Sequence, residues 1–456
     1  MEMMIKNKSG LMFGTAPKPV KCGCEMEIGA GLVFPEINFT LPQMSVSEDT
    51  WPLVVKQYGE IIESICQRAV QLKVPGLVVE FELLPPMTSR PEWGAEITRL
   101  LADALDRFYK AKGLISALRA TPVDIRDTDR PPKMRTGEHT ELMFQSFETC
   151  AAAGADLLSI ESTGGKEVHD EALISGDLPG IVYALGVLAV RDMRFIWERI
   201  GEIAKRRQVI SAGDTACGFA NTAMILADKG MIPRVLASVV RVASTVRSLQ
   251  AFELGAVGPS KDCAYEGPFL KAIAGVPISM EGRSSACAHL SHLGNIASAA
   301  CDLWSNESVQ NIRLLSDFAP VVYLEQLTYD CRLMNQAYKE GRAAMESLQR
   351  WSVDSDSGLD PQAYVLRPDV VIELSSRMVQ ATSPLEMTIT AVGATLDVLE
   401  KAHQNNEIEL INTELRWLQM LRSQLELIPA SEQDLVEYIH ANTVYESLYL
   451  PQEYGL

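Results

Sequence analysis

Val209-Ile-Ser-Ala-Gly-Asp-Thr-Ala-Cys217 is a short apolar run that breaks into small polar residues and ends on a thiol. The same form recurs twice. Ala155-Asp-Leu-Leu-Ser-Ile-Glu161 ends on a carboxylate and runs into Ser162-Thr-Gly-Gly165. Phe252-Glu-Leu-Gly-Ala-Val-Gly-Pro-Ser-Lys-Asp-Cys263 delivers a second thiol after an apolar stretch. Helical patterns separate the three. In a (β/α)8 barrel, side chains just beyond the strands converge on one face, where active sites form. Two thiolates and one carboxylate meeting there predict a three-ligand zinc site, Glu161, Cys217 and Cys263, with an open fourth position.

Working outward, strands and helices alternate up to about Asp330. The expected strands are Glu25–Val33, Gly76–Leu84, Gly113–Arg119, Ala155–Ser162, Val209–Asp214, Gln250–Ala256, Pro277–Glu281 and Val321–Glu325. Continuous apolar runs such as Gly76-Leu-Val-Val-Glu-Phe-Glu-Leu-Leu84 suit strands buried on both faces. Helical patterns cover Glu48–Leu72, Trp93–Lys112, Thr140–Ala153, Ile181–Lys205, Thr222–Leu249 and Ser284–Asn306. Eight strands alternating with helices predict an α/β fold, a TIM (β/α)8 barrel. Beyond about Ser352 the strand signal ends. Pro361–Met378, Ser383–Gln404, Asn412–Leu427 and Ser431–Ser447 read as amphipathic helices, with entry signals at Asp360-Pro361 and Ser383-Pro384. The division expected is residues 1–335 for the barrel carrying the zinc site and 336–456 for a helical layer packed on it.

Composition sets the outer bounds. The chain has 456 residues, 47% hydrophobic and 22% charged, as in ordinary globular proteins. A formal net charge of −18 argues against a general binder of nucleic acid or membrane surface, which needs basic patches. The first residues lack the apolar core of a signal peptide. The longest apolar run, 180–190, is shorter than a membrane span. Nine cysteines without a framework suggest a reducing compartment, so a cytoplasmic location is expected.

Each ligand candidate has a plainer reading. A free cysteine usually packs as a small hydrophobe, and Cys66, Cys150, Cys301 and Cys331 fall in helical patterns that suit this role. Cys22 and Cys24 precede the first strand at a spacing unusual for zinc and read as structural. Cys287 and His289 follow the seventh expected strand and rank behind the main three. Glu161 stands apart, because a carboxylate closing an apolar strand is costly unless paired or metal-bound. Phosphate loops of the Rossmann or Walker type are absent.

The chain resembles the zinc-containing subunit of methanol:corrinoid methyltransferases. The resemblance runs through Glu27-Ile-Gly-Ala-Gly31, Pro35-Glu-Ile-Asn38, Trp93-Gly-Ala-Glu96, Gly154-Ala-Asp-Leu-Leu-Ser159, Glu161-Ser-Thr-Gly-Gly-Lys-Glu167, Ile210-Ser-Ala-Gly-Asp-Thr-Ala-Cys217, Gly255-Ala-Val-Gly-Pro259, Lys261-Asp-Cys263 and Cys287-Ala-His289. It implies a TIM barrel with one zinc per subunit, held by Glu161, Cys217 and Cys263. It further implies a methyl transfer from methanol to the Co(I) form of a cobalamin carried by a partner corrinoid protein, in a complex built around a homodimer of the zinc subunit. This chain lacks the Asp-x-His-x-x-Gly pattern of base-off corrinoid-binding domains, which agrees with a separate carrier.

The chemistry suits these ligands. Hydroxide is a poor leaving group, and a zinc Lewis acid at the alcohol oxygen would stabilise the charge that develops there. A proton must reach that oxygen. Asp214, Glu253, Glu281 and Glu325 fall at expected strand ends, as proton donors or as hydrogen-bond acceptors behind the ligands. Two alternatives stay open: the same chemistry on another small methyl donor such as a methoxylated compound, or a zinc hydrolase or lyase that uses zinc-bound water.

Overall fold

The structure is a computed structural model and describes residues 2–39, 45–261, 265–280, 313–314, 317–441 and 444–456. An antiparallel hairpin, β1 (Thr15–Cys22) and β2 (Met26–Ala30), precedes five parallel strands: β3 (Glu36–Phe39), β4 (Leu77–Glu82), β5 (Ser116–Thr121), β6 (Leu157–Ile160) and β7 (Ile210–Asp214). The five pair in chain order, with helices between them.

Two extended segments continue the ribbon. Val257 N–H donates to the Ser211 carbonyl at 2.9 Å, beside β7. Ser260 forms a parallel bridge with Ile278. Glu36 N–H then donates to the Met280 carbonyl at 2.9 Å, which returns the ribbon to β3. The fold is therefore α/β, a closed parallel barrel of TIM type with helices outside it.

Period-two alternation sorts the strand side chains. Ile37, Phe39, Leu77, Val79, Phe81, Leu118, Ala120, Leu158 and Ile160 face outward and share one core with helices Trp51–Leu72 and Pro91–Lys112. The inward set changes with height. At the N-terminal end Val78, Ala117, Leu157 and Ala212 pack with Cys22, Met26 and Ile28, so the hairpin closes the bottom of the barrel. Above them the interior is charged. Arg119 and Glu36 form an ion pair at 2.6 Å, both fully enclosed.

Three expected strands differ. Over Glu25–Val33 the chain forms hairpin strand β2, and the barrel strand follows at Glu36–Phe39. Gln250–Ala256 falls mostly in helix Thr245–Glu253, which is almost wholly buried. A short apolar run carries no period that separates helix from strand. Val321–Glu325 lies in helix Ala319–Glu340. Pro320 opens that helix's first turn. The buried Val321, Leu324, Thr328, Cys331 and Asn335 recur at helical spacing. The pattern read as one helix over Thr222–Leu249 is broken into Thr222–Asp228, Arg234–Ala243 and Thr245–Glu253. The helix expected over Ser284–Asn306 lies outside the described residues.

Of the later helices, the one expected over Pro361–Met378 is broken into Pro361–Tyr364 and Pro368–Met378, and the one expected over Ser431–Ser447 ends at His440. Ser383 and Ser431 accept first-turn N–H groups as N-caps of Pro384–Gln404 and Glu432–His440. Val371, Leu374, Ala391, Leu396 and Leu399 share one core with Ile181, Leu185, Leu236 and Val240. Helix Pro384–Gln404 thus packs on helix Arg234–Ala243. Helix Ala319–Glu340 runs through position 335 and packs on helix Trp51–Leu72.

Candidate metal centre

Glu161 follows β6 directly, and Cys217 lies three residues beyond the end of β7. The two strands are neighbours, with Ile160 opposite Asp214. Both candidates therefore leave the same end of adjacent strands. Cys263 lies outside the described residues, but Lys261, two positions before it, donates to Glu161 Oε1 at 2.9 Å. That contact holds the start of the third loop beside the first. Among the described residues no three His, Cys, Asp or Glu side chains group closely enough to hold a metal.

Lys261 is the centre of an acidic cluster. Its enclosed ammonium lies 2.7 Å from Glu80, 2.5 Å from Glu82 and 2.9 Å from Glu161. Thr121 donates to Glu80 at 2.6 Å, and Asn38 donates to Glu82 at 3.1 Å. Burial raises the Glu80 carboxyl against the pull of Lys261. Burial acts on Glu82 too, but Lys261, with hydrogen bonds from Lys261 and Asn38, outweighs it and holds this carboxyl below its ordinary value. Three carboxylates around one ammonium leave surplus negative charge at the mouth. Such a surplus fits a divalent cation at Glu161.

Cys217 is half-buried and opens the helical turn Cys217–Asn221. Asn221 Nδ2 donates to its sulfur at 3.2 Å. That contact orients the sulfur from the same turn that carries it. The donor set on the described strands, one carboxylate and one half-buried thiol, is therefore of the kind zinc takes.

The loop after Glu161 is tightly held. Asp124 Oδ2 accepts from Thr163 N at 2.9 Å and from Thr163 Oγ1 at 3.1 Å. Gly165 N–H donates to the Tyr454 hydroxyl at 2.9 Å, so the C-terminal turn Pro451–Tyr454 reaches back to this loop. Gly164 has no room for a side chain, since a Cβ would meet the Asp192 carboxyl at 2.3 Å. Behind Cys217, Glu266 Oε1 accepts from Ala216 N–H at 2.7 Å and from Ser248 at 2.9 Å. Burial raises the carboxyl of Glu266.

The four carboxylates expected as proton donors separate. Asp214 is enclosed below the mouth, 3.1 Å from Arg247. Burial raises its carboxyl although Arg247 pulls the other way. Glu253 ends helix Thr245–Glu253 and pairs with Arg194 at 3.2 Å. Glu325 lies within helix Ala319–Glu340, where it accepts from Arg68 Nε at 2.7 Å. Glu281 lies outside the described residues, as do Cys287 and His289. Sequence reading passed over Glu80, Glu82, Lys261, Arg247 and Glu266. For Glu80 and Glu82 a signal existed: in Val78-Val-Glu-Phe-Glu82 the carboxylates alternate with apolar residues, and period two turns both inward.

Glu167, at the first turn of helix Lys166–Ser175, offers a pH test. Burial raises its carboxyl to about 7, although Arg130 lies 3.0 Å away. A carboxyl whose folded pKa exceeds its unfolded value binds more protons when folded. Its contribution is fully present below the ordinary glutamate value of 4.5 and is lost as pH rises through about 7. Glu167→Gln should gain stability relative to the wild type across that window. Thermal melts at its two ends check this, and a constant difference between the two proteins would count against it.

The chain matches the family model of the methanol-cobalamin methyltransferase B subunit over residues 1–455. It is 36% identical over 462 residues to the methanol–corrinoid protein co-methyltransferase of Methanosarcina barkeri (strain Fusaro / DSM 804), covering 99% of this chain and 98% of that one. In the crystal structure of the methanol:cobalamin methyltransferase complex MtaBC from Methanosarcina barkeri, one chain superposes with a TM-score of 0.89 at 32% identity. The match covers 100% of this chain and 99% of that one.

Proposed function

This chain belongs to the methanol-cobalamin methyltransferase B subunit family, and on that premise we infer that it transfers the methyl group of methanol to the Co(I) corrinoid of a partner protein. The observation that carries the reading is the full-length match to a named methanol–corrinoid protein co-methyltransferase. Glu161 and Cys217, on adjacent strand ends, supply a site of the right chemistry.

In this proposal Glu161, Cys217 and Cys263 hold one zinc per subunit. When bound, zinc supplies Lewis acidity, which eases the departure of hydroxide from the methyl carbon. The chain's own residues do the rest. Lys261 fixes the Glu161 carboxylate, and Asn221 orients the Cys217 sulfur. Glu266 fixes the backbone just before that sulfur. Asp214, buried beneath the two loops, is the expected strand-end carboxylate that remains nearest the ligands along the chain, and we assign it the supporting acceptor role. Cobalamin is the partner's cargo and meets the methyl group at the mouth. The family resemblance supports a core of two copies for the complex. No helix among the described residues is long and apolar enough to cross a membrane, and the scattered cysteines support a cytoplasmic site.

The test is methylation of free Co(I) cobalamin by methanol, followed by its absorption change. A chelator should stop the reaction, and added zinc should restore it. Methanol labelled with oxygen-18 should yield labelled water, because the C–O bond breaks. Turnover without any corrinoid would point to a hydrolase or lyase, and persistence in zinc-free protein would remove the Lewis-acid role.

A further inference from the structure

Arg247 is fully buried on helix Thr245–Glu253 and touches none of the three proposed ligands in any described hydrogen bond, yet it contacts the loops that carry two of them. Its Nη1 donates to the Thr215 carbonyl at 3.0 Å. Its Nη2 donates to the Ser162 hydroxyl in a short contact, to the Ser162 carbonyl at 3.4 Å, to Met193 Sδ at 3.1 Å and to Asp214 Oδ1 at 3.1 Å. The guanidinium also lies 5.0 Å from the centre of the Phe219 ring. Ser162 follows Glu161. Asp214 and Thr215 precede Cys217, and Phe219 follows it.

One rigid fork thus bridges the β6 and β7 loops. The strands themselves are joined by backbone pairing only up to Ile160 and Asp214. Beyond that point the two loops need another tie, and Arg247 makes one to each. A guanidinium suits the task because its donors lie in one plane at fixed angles, whereas lysine offers a point charge on a flexible stem. Groups that orient ligands from behind carry a large share of a metal site's affinity.

We propose that Arg247 is a positioning residue that sets the separation of Glu161 and Cys217, and so pre-forms the zinc site before metal binds. The proposal rests on the zinc-site reading above. Arg247→Lys keeps the charge beside Asp214 and loses the planar fork. Ser162→Ala keeps Arg247 and Asp214 and removes one tether.

The experiment measures zinc affinity by competition with a chromophoric chelator, and the absorption of cobalt(II) substituted into each full-length protein. Thiolate-to-cobalt charge transfer and the visible d–d bands report ligand geometry. Arg247→Lys should bind zinc about 10–100-fold more weakly and show altered cobalt bands. Ser162→Ala should shift both in the same direction by less. A lowered melting temperature with unchanged zinc affinity and an unchanged cobalt spectrum in both variants would reduce Arg247 to a packing role and overturn the proposal. The site reading fails separately. If Cys217→Ala binds zinc as the wild type does, or the wild type binds none, the ligand assignment falls and this proposal with it. If the wild type binds one zinc and Cys217→Ala none, an unaffected Arg247→Lys overturns the positioning role alone.

Discussion

Cys217→Ala should lose its zinc and with it nearly all methyl transfer from methanol. A three-ligand site cut to two retains too few donors for tight binding. Lewis acidity accounts for several kcal/mol of the barrier reduction in such reactions. At tenfold per 1.4 kcal/mol, the loss is roughly a thousandfold or more in rate. Cys263→Ala should behave alike. Cys150→Ala is the control, because that thiol is wholly buried in the outer core and pushed up to about 12. It should cost stability through a small cavity and leave zinc content near one per chain. Elemental analysis of the three variants after dialysis, beside rates with Co(I) cobalamin, decides the matter. Full zinc retention in both Cys217→Ala and Cys263→Ala would end the assignment.

That experiment bears on what was legible in the sequence. Strand-then-ligand units at Glu161 and Cys217 could be read because a polar residue closing an apolar run is conspicuous. The structure leaves both at the same end of neighbouring strands. The strands near them were legible for the same reason. The C-terminal end of helix Thr245–Glu253 was not, since a short apolar run carries no period that separates helix from strand. This misreading also moved Glu253 from a helix end to a supposed strand end. Arg247 was invisible because its meaning lies in partners 32 to 85 residues away along the chain. Glu80 and Glu82 were read as part of a buried run, although their alternation already pointed inward. A closed barrel places such residues in its interior, where charges need partners from several strands. No local pattern identifies those partners.

Arg119→Met should destabilise the fold by about 3–5 kcal/mol, the cost of leaving one member of a buried ion pair uncompensated. Arg119 rises from β5 across the interior. It donates to Glu36 on β3 at 2.6 and 3.3 Å, to Ser159 on β6 at 2.7 Å, to the Pro259 carbonyl at 3.0 Å and to Ser279 at 2.7 Å. One side chain thus ties β5 to β3, β6 and both extended segments, and Arg119 lies opposite Glu80 of the Lys261 cluster in the strand register. With Arg119 gone, the Glu36 carboxylate stays enclosed without an ion-pair partner among the described residues. The double variant Glu36→Gln/Arg119→Met removes the stranded charge and should recover more than half of the loss. A double-mutant cycle from denaturant unfolding isolates the coupling between the two. Equal destabilisation of the single and double variants would assign the loss to packing and to the serine and carbonyl contacts. A loss below about 1 kcal/mol would mean that water or a neighbouring group satisfies Glu36 when Arg119 is absent. The pair also bears on the site. If Arg119 holds the ring in register, Arg119→Met should weaken zinc binding as well as the fold, because the strand ends bearing Glu161 and Cys217 are set by the layer below them.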